Sequence, residues 1–511
     1  MAIDITVLIL YALSMVGVAV YTKNRSGSVD DFLLAGKRGL NGWLTAFAYG
    51  TTYFSAVIFI GYAGQFGRAY GLASVWIGIG NALIGTLIAW LVLAKRTKNM
   101  TRRLGAKTMP DFFEKRYGSH GLKIVSSIII FIFLIPYSAS VYNGLSSLFE
   151  IVFGIPGWAV MIALALLTAV YLFFGGYFAT ALSDFIQGII MIIGVILMVI
   201  FFMSNERVNW DISAIADSWF TFGKAGSEGI FGSTVSLISL ILLTSLGVWA
   251  LPQTIHKYYA IRDKKAITQG VVVSTAFALI IGFVAYFTGA LSFFFPETQG
   301  IPDGAVIPTM FNLAIPAGLT GVIAVLILSA SMSTLSSVSL ASASVIAVDL
   351  YKGSIKKDAT DKQVNLVMRA LTLVFVLISV VLAILNEKLG IAAIAYMMGV
   401  SWGTLAGCFI GPYVLGLLWK RVTKAAVYTS IISSLVITVT LVITLGYINP
   451  QNTDLSFGSA LKYGMQSSPL IGVICMISSL LLTALVSLFT RAPSESVIEN
   501  AFNSPLEDEI A

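Results

Sequence analysis

A chain of 511 residues that is 57% hydrophobic and only 11% charged has too little polar surface to cover a soluble globule of its size, and reads as a polytopic membrane protein. Its formal charge of +7 is then a matter of membrane topology and gives no reason to invoke nucleic acid. Cys408 and Cys475 both fall in apolar runs and the only histidines are His120 and His256, which excludes a disulfide framework or a zinc cluster.

Thirteen apolar windows of about 17 to 30 residues, the length that spans a bilayer core, begin near Ile5, Gly42, Leu72, Leu122, Trp158, Leu182, Gly232, Ile267, Gly318, Val364, Ile391, Ala425 and Leu470. An all-α architecture of thirteen transmembrane helices is expected. The first, within 1–22, is read as an anchor. Asp4 precedes it, no basic region leads it, and Lys23 and Arg25 follow without a small-residue cleavage site. The second is interrupted by Tyr49-Gly50-Thr51-Thr52-Tyr53-Phe54-Ser55, and the seventh by Thr244, Ser245, Leu246 and Gly247 ahead of Trp249 and Pro252. Both read as discontinuous helices. Their separation by five helices fits a five-helix unit repeated with inverted topology, with solute and ion bound at the two breaks; two ordinary kinked helices are the alternative.

The sixth helix carries Asp184, the one carboxylate placed well inside a span. A lone buried charge is costly and usually functional, unless it reaches cytoplasmic water or pairs with a nearby base. The ninth helix carries a hydroxyl seam, Ala330, Ser333, Thr334 and Ser337, which 3.6 residues per turn place on one face. Unpartnered hydroxyls are expensive in hydrocarbon, so the seam is either an ion site or glue between helices. In the eleventh, Gly399, Gly403, Gly407 and Gly411 form a smooth ridge for close helix approach. The stretch Gly399-Val400-Ser401-Trp402-Gly403 also matches a nucleophile elbow, but it lies inside an apolar helix with no histidine near it in sequence. Catalysis is not expected.

When the connections are taken alternately, all but five of the 31 basic residues fall on one side; the five are Arg68, Arg207, Lys224, Lys388 and Lys462. By the positive-inside rule the amino terminus is outside and the carboxyl terminus inside, in a plasma membrane. The last residues, 490–511, are polar and acidic and read as a disordered cytoplasmic tail without room for a signalling module, which argues against a sensor.

Four stretches resemble the sodium:solute symporters, a family that includes bacterial proline, pantothenate, sialic acid and galactose permeases and the animal sodium-glucose carriers. They are DDFLLAGKR (Asp30 to Arg38), TMPDFFEKRYG (Thr108 to Gly118), FGGYFATALSDFIQG (Phe174 to Gly188) and SASMSTLSSVSLASASVIAVDLYK (Ser329 to Lys352). The resemblance covers most of the chain. It implies a leucine-transporter-type fold, with five-helix repeats at 40–203 and 232–419 and two further helices at 425–489. It also implies a sodium site made of the Thr51, Phe54 and Ala330 carbonyls with the Ser333 and Thr334 hydroxyls, neutral oxygens able to replace the water of a hard cation. Asp184 matches a family aspartate that helps sodium leave toward the cytoplasm, and Arg38 a family arginine of the inner gate.

The resemblance implies sodium-coupled symport of a small organic solute. Leu251-Pro252-Gln253 is similar to the Pro-containing break of the proline and pantothenate permeases rather than to the Asn-Gln pair of the sugar carriers. A carboxylated solute is expected, of amino acid, pantothenate or monocarboxylate type, facing Ser55, Tyr137, Ser138, Thr244, Trp249 and Pro252. Tyr53 stands where the proline permeases have an aspartate and Val248 where they have an aromatic residue, which leaves proline itself open. Proton coupling and a sugar or sialic acid remain alternative readings.

Overall fold

The computed structural model describes residues 2–22, 28–34, 39–217, 233–316 and 318–503. Eleven of the described helices are long and apolar enough to cross a membrane. The one over Val57–Leu104 turns at Gly71, whose φ of 56° ends the helix Ala63–Tyr70, and so holds the outer half of one span and the whole of the next. Gly176, at φ 66°, likewise separates a shorter apolar helix, Gly157–Phe173, from Gly176–Ser204. Cut at these two left-handed glycines, which favour residues without a Cβ, the described residues form thirteen apolar segments at the places the hydropathy predicts.

They are Ala2–Thr22; Gly42–Tyr53 with 57–70; 71–104; His120–Phe153; Gly157–Phe173; Gly176–Ser204; and Ser233–Gly247 with Pro252–Tyr259. Lys264–Ala290, Thr320–Ile355, Asp361–Leu389, Ile394–Leu418, Lys424–Ile448 and Ser468–Phe489 complete the set. The ninth is the most enclosed, with 94% of its apolar window buried, against 28% for the first. An enclosed helix can carry hydroxyls because protein, not lipid, surrounds them.

The glycine ridge of the eleventh helix does what its spacing predicts. A Cβ at Gly399, Gly403, Gly407 or Gly411 would strike Ser468, Gly472, Cys475 and Ser479 in turn, all on the thirteenth helix. Ser401 in the same stretch donates to the Phe133 carbonyl and is buried, as a structural hydroxyl would be. The first helix is tied in by polar contacts: Gln187 donates to the Tyr11 hydroxyl at 3.1 Å, and buried Asp4 accepts from the Gly321 N–H at 2.7 Å. That N–H is one of the unpaired donors in the first turn of the ninth helix. Replacing Asp4 by alanine should cost about 1 kcal/mol, the worth of a helix cap, read as a lower midpoint of thermal unfolding with sodium half-saturation unchanged.

At one end of the bundle the helix Met109–Tyr117, N-capped by Thr108, clasps several helix ends. Buried Arg116 donates to the carbonyls of Gly416 and Trp419, both at 3.0 Å. Thr108 donates to Asp349 at 2.7 Å, and Lys123 to Asp111 and Glu114 at 3.1 and 2.7 Å. Ion pairing with Lys123 and His120 outweighs burial and holds the Glu114 carboxyl below its ordinary range. Asp349 is a second buried carboxylate, placed near the inner end of the ninth helix where this clasp holds it.

Candidate functional site

Both predicted breaks are present. In the second helix the α-helical run ends at Tyr53 and Phe54 takes extended angles (φ −103°, ψ 111°). Ser55 restarts the chain by accepting from the Val57 N–H at 3.2 Å, which satisfies one of the donors that a new helix leaves open. In the seventh, Leu251 is extended and Pro252 opens the inner half at a first-turn position. Proline disfavours helix for the residue before it and needs no N–H partner there. The two breaks are joined directly, since the Tyr53 hydroxyl donates to the Thr244 carbonyl at 2.6 Å.

The hydroxyl seam meets the break of the second helix. Ser333 donates to the Thr51 carbonyl at 2.9 Å and to that of Ala330 at 3.0 Å. Thr334 lies within 3.5 Å of the Thr51 carbonyl, 3.3 Å of Thr52 and 3.2 Å of Ala330. Thus four of the five predicted sodium-site residues converge, all buried. Phe54, the fifth, is at the break itself with its ring stacked on Tyr53 at 4.7 Å. Three carbonyls and two hydroxyls, with no charge among them, thus lie within hydrogen-bond reach of one another, and neutral oxygens of this kind suit a hard monovalent cation that must later be released.

The predicted solute residues divide. The Tyr137 hydroxyl lies among the Ser55 and Thr334 hydroxyls and the Trp402 indole, and the buried Ser138 hydroxyl has no well-formed hydrogen bond among the described residues. Trp402 packs edge-on against Tyr137, centroids 5.5 Å apart, and lies 6.0 Å from Tyr53. This is a compact group of buried donors beside the break. Thr244, by contrast, uses its hydroxyl on the Leu240 carbonyl at 2.7 Å, and Trp249 is half-buried and donates to the Ile84 carbonyl at 3.0 Å on the third helix. Arg38 lies outside the described residues. On the opposite side of the break Arg68 donates to the carbonyls of Thr298 and Ile301 and pairs with Asp303, joining the outer half of the second helix to the connection beyond the eighth. Burial raises the Asp303 carboxyl above its ordinary range, partly offset by Arg68.

Sequence reasoning missed two groups. Trp402 was hidden in the glycine-ridge reading of the eleventh helix. Lys257 counted there as a loop base on the cytoplasmic side; it is buried in the inner half of the seventh helix and pairs with Asp184 across 3.4 Å. Of the fates the sequence allows for Asp184, pairing with a base is the one observed.

Comparison with known proteins gives a consistent picture. A family model described as the sodium:solute symporter family matches residues 32–434. The chain is 29% identical over 435 residues to the osmoregulated proline transporter of Bacillus subtilis (strain 168), covering 83% of this chain and 86% of the relative. It is 26% identical over 427 residues to sodium/proline symporter 2 of Staphylococcus saprophyticus, with coverage of 82% and 81%. The solved structure of a Na+-coupled sialic acid symporter in a substrate-bound outward-open state superposes with a TM-score of 0.74 at 19% identity, over 96% of this chain and 99% of that one. At that identity the likeness speaks for the fold, which is of the leucine-transporter type.

Proposed function

The chain belongs to the sodium:solute symporter family and is a sodium-coupled symporter of a small organic solute in a multi-pass membrane setting, and from that premise we propose that its solute is proline or a proline-like amino acid. The observation that carries this reading is the cluster of buried neutral donors, Tyr137, Ser138 and Trp402, beside two breaks that contain no charged residue. Three neutral donors and half-helix N-termini suit a carboxylate. The Gln253 Oε1 atom, buried next to Pro252 and unpartnered among the described residues, is an acceptor for the amine. Tyr53, bonded to Thr244, does structural work at the place of the aspartate of the proline permeases.

In this reading sodium is held by Thr51, Phe54, Ala330, Ser333 and Thr334, and Tyr137 spans the two sites by facing both Ser55 and Thr334. Solute and ion would therefore order the same side chains, which is a physical basis for coupled binding. The repeats 40–203 and 232–419 then rock about the site. One sodium moving down about 100 mV and an about tenfold gradient supplies about 3.7 kcal/mol, enough to accumulate a neutral solute several-hundredfold.

The amino terminus is assigned outside and the carboxyl terminus to the cytoplasm of a plasma membrane. Lys98 donates to the Tyr259 carbonyl at 2.8 Å, and Thr108 and Arg116 reach Asp349, Gly416 and Trp419. The basic connections thus meet at one face, as the positive-inside rule requires of the cytoplasmic side.

The test is thermal stability of the purified protein in sodium against potassium, with proline, pantothenate, short monocarboxylates, sialic acid and hexoses. The expected result is stabilisation by sodium alone and a further increase with proline only when sodium is present. Stabilisation by a hexose or sialic acid instead would overturn the proposed solute, and indifference to the cation would overturn the sodium site.

A further inference from the structure

One turn toward the cytoplasm from the proposed sodium oxygens, the hydroxyl seam continues into a second polar cluster. Ser337 lies four residues beyond Ser333, about 6 Å along the helix axis. Its hydroxyl is 2.8 Å from that of Thr52 and accepts from Lys257 Nζ at 2.9 Å. The same ammonium lies 3.4 Å from Asp184 Oδ2 and 5.2 Å over the ring of Tyr177. Lys257 is 1% exposed and Asp184 is fully buried, and the second Asp184 oxygen, Oδ1, has no hydrogen-bond partner among the described residues. Tyr11 and Tyr171 lie within electrostatic reach of this carboxylate. The cluster draws on four elements: the second helix through Thr52, the sixth through Asp184, the inner half of the seventh through Lys257, and the ninth through Ser337.

A buried carboxylate stays charged only with a cation or hydrogen-bond donors beside it. Here the carboxylate and the hydroxyls of Thr52 and Ser337 are hard oxygen ligands of the kind a sodium ion takes, but the position between them is filled by an ammonium tethered to the seventh helix. Thr52 belongs to both clusters, its carbonyl 3.3 Å from Thr334 and its hydroxyl on Ser337. We infer that Lys257 is a built-in substitute for a second sodium ion, and that it sets the coupling of this transporter at one sodium per solute. A tethered cation neutralises Asp184 without entering or leaving, so it adds nothing to the ion gradient spent per cycle. This rests on the sodium reading of Ser333 and Thr334 and adds the ion count to it.

The experiment counts sodium on the purified protein and in proteoliposomes. Equilibrium binding of radioactive sodium should give one ion per wild-type chain, and sodium-dependent proline uptake should have a Hill coefficient near one. Lys257→Met keeps an unbranched chain of similar length and removes the charge. It should bind two sodium ions, raise the Hill coefficient toward two, and need sodium to reach wild-type thermal stability, because the exposed demand of Asp184 is then met by the ion. The double variant Lys257→Met/Asp184→Asn removes both charges and should return to one ion and a Hill coefficient near one. Two ions on the wild-type protein would overturn the inference whether or not the variants fold, as would a folded Lys257→Met that still binds one. A wild-type protein that binds no sodium would instead defeat the reading of Ser333 and Thr334 on which the inference stands.

Discussion

Ser333→Ala and Thr334→Ala are each expected to raise the sodium concentration for half-maximal uptake by about ten- to a hundredfold. A polar contact to a charged group is worth about 1.5 to 3 kcal/mol, and each 1.4 kcal/mol is tenfold in affinity. The two hydroxyls are two of the five neutral oxygens that the structure brings together at the break. They donate to the carbonyls of Thr51, Thr52 and Ala330. To hold sodium, both hydrogens must turn away so that the oxygens face the cation. The same bonds would be kept by simple glue between the second and ninth helices, and the two roles separate in one comparison. If glue is the whole role, either alanine variant melts earlier by the same margin in sodium and in potassium, and the sodium half-saturation stays where it was. If the hydroxyls are ligands, the stabilisation specific to sodium is lost while the midpoint in potassium changes little.

The helices, the two breaks, the seam and the glycine ridge were legible because each is a local pattern. An apolar run of sufficient length must cross the bilayer, a Ser or Pro at a break satisfies or removes backbone donors on the spot, and residues four apart share a helix face. The ridge from Gly399 to Gly411 even pointed correctly to a close neighbour, though not to which helix that would be. The partner of Asp184 was not legible. Lys257 follows the break by five residues and is 73 residues away in sequence, and a lysine near a helix end obeys the positive-inside rule as well as it fills a site. Only the packing of the seventh helix against the sixth and ninth shows that it turns inward. Trp402 was obscured for a similar reason. It sits between two ridge glycines, and sequence alone does not say that its ring leaves the ridge to meet Tyr137 and Tyr53.

Those aromatic donors carry the second large effect. Tyr137→Phe and Trp402→Phe each delete one buried hydrogen-bond donor and keep most of the ring that packs the pocket. Tyr137→Phe keeps the ring that packs on Trp402 and should leave thermal stability in sodium alone close to that of the wild type, whereas Trp402→Phe shrinks a fully buried side chain and should lower it. With solute bound, each donor on a carboxylate is worth about 1.5 to 3 kcal/mol, and its loss should weaken apparent proline affinity by about ten- to a hundredfold. The Tyr137 variant should behave differently from the Trp402 variant in one respect. Tyr137 also faces Thr334, so its hydroxyl joins the two sites, and its loss should reduce the degree to which sodium tightens solute binding. The measurement is solute affinity by thermal shift at low and at saturating sodium. A Tyr137→Phe protein with wild-type solute affinity at both sodium levels would remove Tyr137 from the pocket. Equal weakening in both variants at both sodium levels would keep the donors as solute contacts but take the coupling role away from Tyr137.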